Sequence, residues 1–169
     1  MSDRSEDVGG RGRRFRLHQR LGAVGPDPWI EDDEGERCFE VDEMALGRLE
    51  AFILRDLHGR EVARLQHSDL REEDATEIKR EGISVATVRR THTALRHHFA
   101  IDVRDGDGLE INGHVGRHEY EIRRGEDVVA TVSRKWFRGE ETYGVEVAED
   151  EDQAMILAAT VAIEQMDHG

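Results

Sequence analysis

Apolar and polar positions alternate along this chain in short runs, and the runs come in pairs separated by a few turn-forming residues. The first pair reads Trp29-Ile30, then Asp32-Asp33-Glu34-Gly35, then Cys38-Phe39-Glu40-Val41. The second runs from Leu49 to Leu54, through Asp56-Leu57-His58-Gly59, to Val62-Ala63-Arg64-Leu65. Ile78, Glu81-Gly82 and Val85 to Val88 make the third, and Phe99-Ala100-Ile101, Asp105 to Gly108 and Leu109-Glu110-Ile111 the fourth. In the fifth, Tyr120-Glu121-Ile122 passes through Arg124-Gly125-Glu126-Asp127 into Val128 to Val132, with a glycine where a tight turn needs positive φ. Period-two alternation broken by Gly and Asp is the pattern of β-hairpins, and these recur every 19 to 24 residues, counted between Gly35, Gly59, Gly82, Gly106 and Gly125.

Five hairpins, with flanking strands at Phe15-Arg16-Leu17 and Thr142 to Val147, give about twelve antiparallel strands. That is too many for one open sheet, so closure into a barrel is expected, with a two-layer sandwich as the alternative the spacing allows. The C-terminal run Ala154 to Ile163 decides between them, because it is apolar on every helical face and so must be surrounded. At 1.5 Å per residue it is about 15 Å long, half a bilayer core but comparable to the depth of a small barrel. Ala154, Ala158, Ala159 and Ala162 keep it slim. The expectation is a mainly β fold, a barrel with a buried axial helix at about 149–166, in a single domain 13–169 behind a disordered acidic and polar tail, residues 1–12.

Composition narrows the function. A formal net charge of -14, from 24 Lys and Arg against 38 Asp and Glu, argues against nucleic acid as a partner. Only Lys79 and Lys135 are lysine; the remaining cations are arginine, and this bias with the acid excess matches a salt-adapted, halophile protein. One cysteine, no leader and no apolar run long enough to span a bilayer lead to the expectation of a cytoplasmic, monomeric protein without a transmembrane segment. Cys38 reads as a small buried hydrophobe.

The densest mixture of hydroxyl, cation and aromatic groups is Ser133-Arg134-Lys135-Trp136-Phe137, facing Thr142 and Tyr143 if residues 138–141 close a hairpin. Arginine and lysine could hold a phosphate there while Trp136 sits at a lipid interface; alternatively Trp136 and Phe137 cap the barrel core and the cations are merely solvated. His92, His97, His98, His114 and His118 lack metal-ligand spacing, and Asp105-Gly106-Asp107-Gly108 reads as a turn rather than a calcium loop. No nucleophile elbow, phosphate-cradling loop or Cys/His pairing is present, so no catalytic residue, cofactor or metal is assigned and the chain is read as non-enzymatic.

From Glu119 to Met166, the segments Tyr120 to Gly125, Val128 to Phe137 and Thr142 to Val147, followed by the apolar helix, resemble the LURP-one-related family. That family is grouped with phospholipid scramblases and the Tubby C-terminal domain, so the resemblance implies a twelve-stranded barrel around a hydrophobic C-terminal helix. Tubby domains bind phosphoinositides through basic residues, which implies a phospholipid headgroup or membrane-associated protein as partner. Scramblases carry an acidic, calcium-associated stretch before the helix, and Glu149, Asp150, Glu151 and Asp152 occupy the corresponding place. A soluble protein-interaction module without a lipid role is the first alternative, and an enzyme of unrecognised type using the barrel mouth the second.

Overall fold

A computed structural model describes residues 12–18, 28–46, 49–70, 73–92, 97–137 and 142–168. Of the expected N-terminal tail only Gly12 falls among them. Twelve strands close an antiparallel barrel: β1 (Arg13–His18), β2 (Trp29–Asp32), β3 (Arg37–Leu46), β4 (Leu49–Asp56), β5 (Glu61–Leu70), β6 (Glu73–Arg80), β7 (Ile83–His92), β8 (His97–Val103), β9 (Leu109–His114), β10 (Glu119–Arg124), β11 (Asp127–Ser133) and β12 (Thr142–Val147). Each strand pairs with its sequence neighbour, and β1 closes the ring by pairing with both β12 and β2. The five expected hairpins are β2–β3, β4–β5, β6–β7, β8–β9 and β10–β11, and the sandwich alternative is set aside.

The hairpin turns gather at one end of the barrel. In β6–β7 the turn is Glu81-Gly82, both at positive φ (53° and 81°), the geometry whose twist matches two right-twisted strands. In β8–β9 it is Asp105 (φ 60°), not Gly106, that turns left-handed, which aspartate tolerates better than most side chains. Just before each turn sits an inward aliphatic residue: Ile30, Leu54, Ile78, Ile101 and Ile122 are each no more than 1% exposed. In four of the five hairpins the register shifts immediately after that residue, so a bulge bends the strand into its turn.

Through this ring runs α1 (Gln153–His168), about 24 Å long. Every residue from Met155 to Glu164 is buried, with Ile156, Leu157, Ala158, Ala159 and Ile163 fully so. Thr160 meets its hydroxyl requirement within the helix by donating to the Ile156 carbonyl (2.9 Å). The helix begins later than the expected bound of about 149. Asp152 is its N-cap, accepting the Met155 N–H on Oδ1 (3.2 Å), while Glu151 closes a turn back to Ala148. Both carboxylates also pair with arginines at strand ends, Glu151 with Arg124 (2.8 and 2.9 Å) and Asp152 with Arg80, which fastens the helix entrance to β10 and β6. No helix among the described residues is long and apolar enough to cross a membrane.

Because Ala158 is enclosed on all sides, Ala158→Arg forces an unpaired charge into the barrel interior, a penalty of several kcal/mol that approaches the whole stability of a domain. The expected outcome is loss of the cooperative thermal transition followed by circular dichroism. A variant that melts like the parent chain would remove the axial helix from the fold.

Candidate functional site

β1 alternates strictly: Phe15 and Leu17 enter the core, while Arg14 and Arg16 face outward with His18. Its neighbours set what these outer groups meet. Arg14 lies opposite Glu146 and Arg16 opposite Gly144 on β12, while Glu31 and Trp29 lie opposite Arg16 and His18 on β2. Arg14 donates from Nη2 to Glu146 Oε1 (2.8 Å), and Arg16 Nη1 stands 3.6 Å from Glu31 Oε1. Glu31 also accepts the Trp29 indole N–H (2.8 Å). Burial alone would raise the Glu31 carboxyl, but the Trp29 hydrogen bond, His18 and Arg16 outweigh it and leave its pKa below the ordinary value.

The segment after β11 then folds back over this wall. Ser133 Oγ donates to the Glu119 carboxylate (3.0 and 3.1 Å) and accepts the Lys135 N–H (3.1 Å), while the Arg134 N–H donates to Glu119 (3.1 Å). This knot sends Trp136 and Phe137 across the outer face of β12. A Cβ on Gly144 would stand 2.6 Å from Trp136 Cε3 and 2.7 Å from Phe137 Cε2, so glycine is what lets both rings lie flat on the strand. Arg14 stacks over Trp136 (4.2 Å to the ring centroid) and Arg16 over Phe137 (4.3 Å). Farther along the wall His18 stacks on Trp29 (4.3 Å between centroids), and Arg37 lies over the same indole (4.3 Å). Both tryptophans of the chain thus sit on one outer wall, each beneath an arginine.

The six residues expected to form one ligand site are divided by this arrangement. Arg134 and Lys135 are exposed and Trp136 is half-buried on the outer wall. Ser133 and Thr142 are buried, and Ser133 pins the fold-back. Tyr143 points inward, where its ring stacks on His118 (4.7 Å between centroids). Residues 138–141, expected to close the hairpin, lie outside the described residues. Of the acidic stretch proposed for calcium, Glu149 and Asp150 are exposed while Glu151 and Asp152 are engaged by arginines. Among the described residues no group of three or more His, Cys, Asp or Glu side chains is arranged to hold a metal. Cys38 is half-buried against the core, and burial with the nearby Asp32 pushes its thiol pKa up, away from reactivity.

Inside the barrel, a cluster not foreseen from sequence surrounds Glu164, which is 2% exposed. Tyr120 donates its phenol to Glu164 Oε2 (2.8 Å), and His118 Nδ1 stands 2.8 Å from Oε1. His118 reaches this point from a left-handed backbone position (φ 56°) that ends the 3-10 turn Val115–Arg117. Burial, followed by the Glu164 charge, raises the Tyr120 pKa well above its ordinary value near 10.

Two outcomes follow from this geometry. A tyrosine harder to ionise when folded costs no stability below about pH 10; above it the unfolded chain releases a proton that the folded chain retains, and stability falls by about 1.4 kcal/mol per pH unit. Tyr120→Phe is therefore expected to be less stable by about 1–3 kcal/mol at neutral pH, through the lost bond to Glu164, yet to lose stability less steeply than the parent above pH 10 in urea titrations. On the outer wall, Gly144→Ala in a Trp29→Phe background is expected to lift the rings off β12, shifting Trp136 emission to the red and costing about 1–3 kcal/mol. An unchanged spectrum would mean that the rings do not rest on Gly144.

This architecture has solved counterparts. A crystal structure of a protein from Arabidopsis thaliana superposes with a TM-score of 0.69 over 96% of this chain and 95% of that one, at 19% identity, a likeness of fold. The uncharacterized protein YxjI of Bacillus subtilis is 23% identical over 137 residues, covering 81% of this chain and 83% of that protein. Residues 13–164 match the LURP-one-related family as a whole, so strands β1 to β12 and most of the axial helix fall within the match, and the chain belongs to the LURP-one-related family.

Proposed function

We propose that this barrel is a non-enzymatic binding module that docks phospholipid headgroups through the outer wall of β12, β1 and β2. The observation that carries this reading is the placement of both tryptophans under arginines on that wall, next to exposed Arg134 and Lys135. Guanidinium groups fork onto phosphate oxygens, and indole rings favour the headgroup layer, so rings and cations held side by side suit one ligand with both features. The strap that presents them is pinned by Ser133 and Glu119, so little ordering remains to be done on binding. No residue of the wall is asked to perform chemistry. Calcium is not required by this reading, because Arg124 and Arg80 already occupy Glu151 and Asp152.

A second reading, a protein-interaction module without a lipid role, is favoured by one specific feature. Glu146 and Glu31 lie beneath Arg14 and Arg16 and cancel part of their charge, and the chain as a whole carries -14. Tryptophan and arginine are also the residues that dominate protein interfaces.

Vesicle co-sedimentation separates the two. Phosphatidylcholine vesicles with and without phosphatidylinositol phosphates are expected to retain the chain at low salt, less so at molar salt, where the screening length falls to about 3 Å. Replacing Arg134 and Lys135 together by glutamate is expected to weaken that binding about tenfold or more, equivalent to about 1.4 kcal/mol. No binding by the parent chain to either vesicle would overturn the headgroup reading and leave the interaction module.

A further inference from the structure

The axial helix does not fill the barrel evenly. At the turn end the ring of Ile30, Leu54, Ile78, Ile101 and Ile122 closes on it, but toward its C-terminal end a cavity of about 360 Å³ remains between the helix and strands β4 to β7. The cause is legible in the inward positions. Along β5 these run Ala63, Leu65, His67; along β6, Ile78, Thr76, Asp74; and along β7, Ala86, Val88, Arg90, so β5 and β6 turn polar at the paired His67 and Thr76, and β7 one inward position later at Arg90, which pairs with Asp74. The helix meets them with Ala162, whose methyl leaves the space open.

Two cross-strand pairs furnish the polar side. Arg90, only 8% exposed, donates to Asp74 and to the Met166 carbonyl at the helix end, so the guanidinium charge is matched. His67 and Thr76 face each other at 3.5 Å, a separation at the limit of hydrogen bonding that leaves both with unused capacity, although Thr76 is 5% exposed. Beside them, Phe52, Leu65 and Met166 supply an apolar lining. A partly enclosed apolar space with a few convergent polar groups, within the range of about 300–1,000 Å³, is what small-molecule sites look like.

We infer that this lumen is a binding site for an uncharged amphipathic small molecule, with a short alkyl or aromatic body on Phe52, Leu65 and Met166 and a hydroxyl or amide head on Thr76 and His67. Charge decides the class. Arg90 and Asp74 already neutralise each other, so a ligand carboxylate or ammonium would bring an unmatched charge into a poorly hydrated interior. This site is separate from the outer wall and stands or falls independently of the headgroup reading.

The test uses the full chain and a neutral fluorescent reporter, N-phenyl-1-naphthylamine, displaced by 1-decanol, decanoate or decyltrimethylammonium. Saturable reporter binding is expected, with decanol the best competitor. Gln165 is exposed at the cavity mouth, so Gln165→Trp plugs the opening without touching the core and is expected to weaken reporter binding at least tenfold; Ala162→Leu fills the same space from within. Should the latter fail to fold, the former still decides the matter. Thr76→Val, which keeps shape and removes the hydroxyl, is expected to weaken decanol competition several-fold while leaving the reporter unaffected. Equal reporter binding by the parent and Gln165→Trp, or no binding to the parent, would overturn the site. Better displacement by decanoate or decyltrimethylammonium than by decanol would overturn the assignment of an uncharged ligand.

Discussion

Enclosure of one helix is the constraint on which the remaining structure depends. A segment with Ile156, Leu157, Ala158, Ala159 and Ile163 fully buried has no solvent-facing stripe, so a bundle or a one-sided sheet could not satisfy it. Each fully buried aliphatic side chain is worth about 1.5–3 kcal/mol only if strands surround it on every side. Closure achieves this and at the same time leaves no unpaired sheet edge, since β1 accepts β12 and β2 together. Strand and helix dimensions agree: about 24 Å of helix is matched by seven strand residues at about 3.3 Å each.

The two ends of the enclosure are chemically unlike. At the turn end, aliphatic residues ring the helix and Arg124 and Arg80 hold Glu151 and Asp152, so the entrance is fixed by both packing and charge. At the far end the interior admits Glu164, His118, Tyr120, Arg90 and Asp74, groups that are costly to bury and stay only because they meet one another. Selection for stability alone would favour the first pattern throughout, and replacing such pairs by apolar residues is often neutral or stabilising. At this end Arg90 and Asp74 border the incompletely filled space beside β4 to β7, while Glu164, His118 and Tyr120 form a separate cluster beside β10.

Hairpins were legible because turn chemistry and period-two alternation are local: Glu81-Gly82 or Arg124-Gly125 announce a reversal within a few residues of where it occurs. The axial helix was legible because its pattern is extreme. Its start was not, because acidic residues suit both a first helical turn and a cap, and only the hydrogen bond from the Met155 N–H to Asp152 distinguishes them. The fate of Trp136 was hidden for a different reason. Its seat is made by Gly144, and its covering cation by Arg14 at the opposite end of the chain, a juxtaposition created by barrel closure. Glu164 gives little sequence signal because it lies one residue beyond the apolar run, although the inward phase of Tyr120 and Ile122 on β10 implies that a phenol needs a buried partner there.

The arginine bias acquires a local meaning in this setting. Read from composition, it accompanies an acidic excess and suggests adaptation to salt; read on the wall, it reflects what guanidinium groups do and ammonium groups do not. Arg14 forks onto Glu146 while lying flat on Trp136, and Arg16 and Arg37 stack on Phe137 and Trp29, contacts that need a planar cation. These contacts are short and partly desolvated, so molar salt, which erases repulsion across the -14 surface beyond about 3 Å, weakens them least. The wall's own contacts therefore hold their shape under conditions in which net charge is screened, because they rest on ring and guanidinium geometry rather than on long-range attraction.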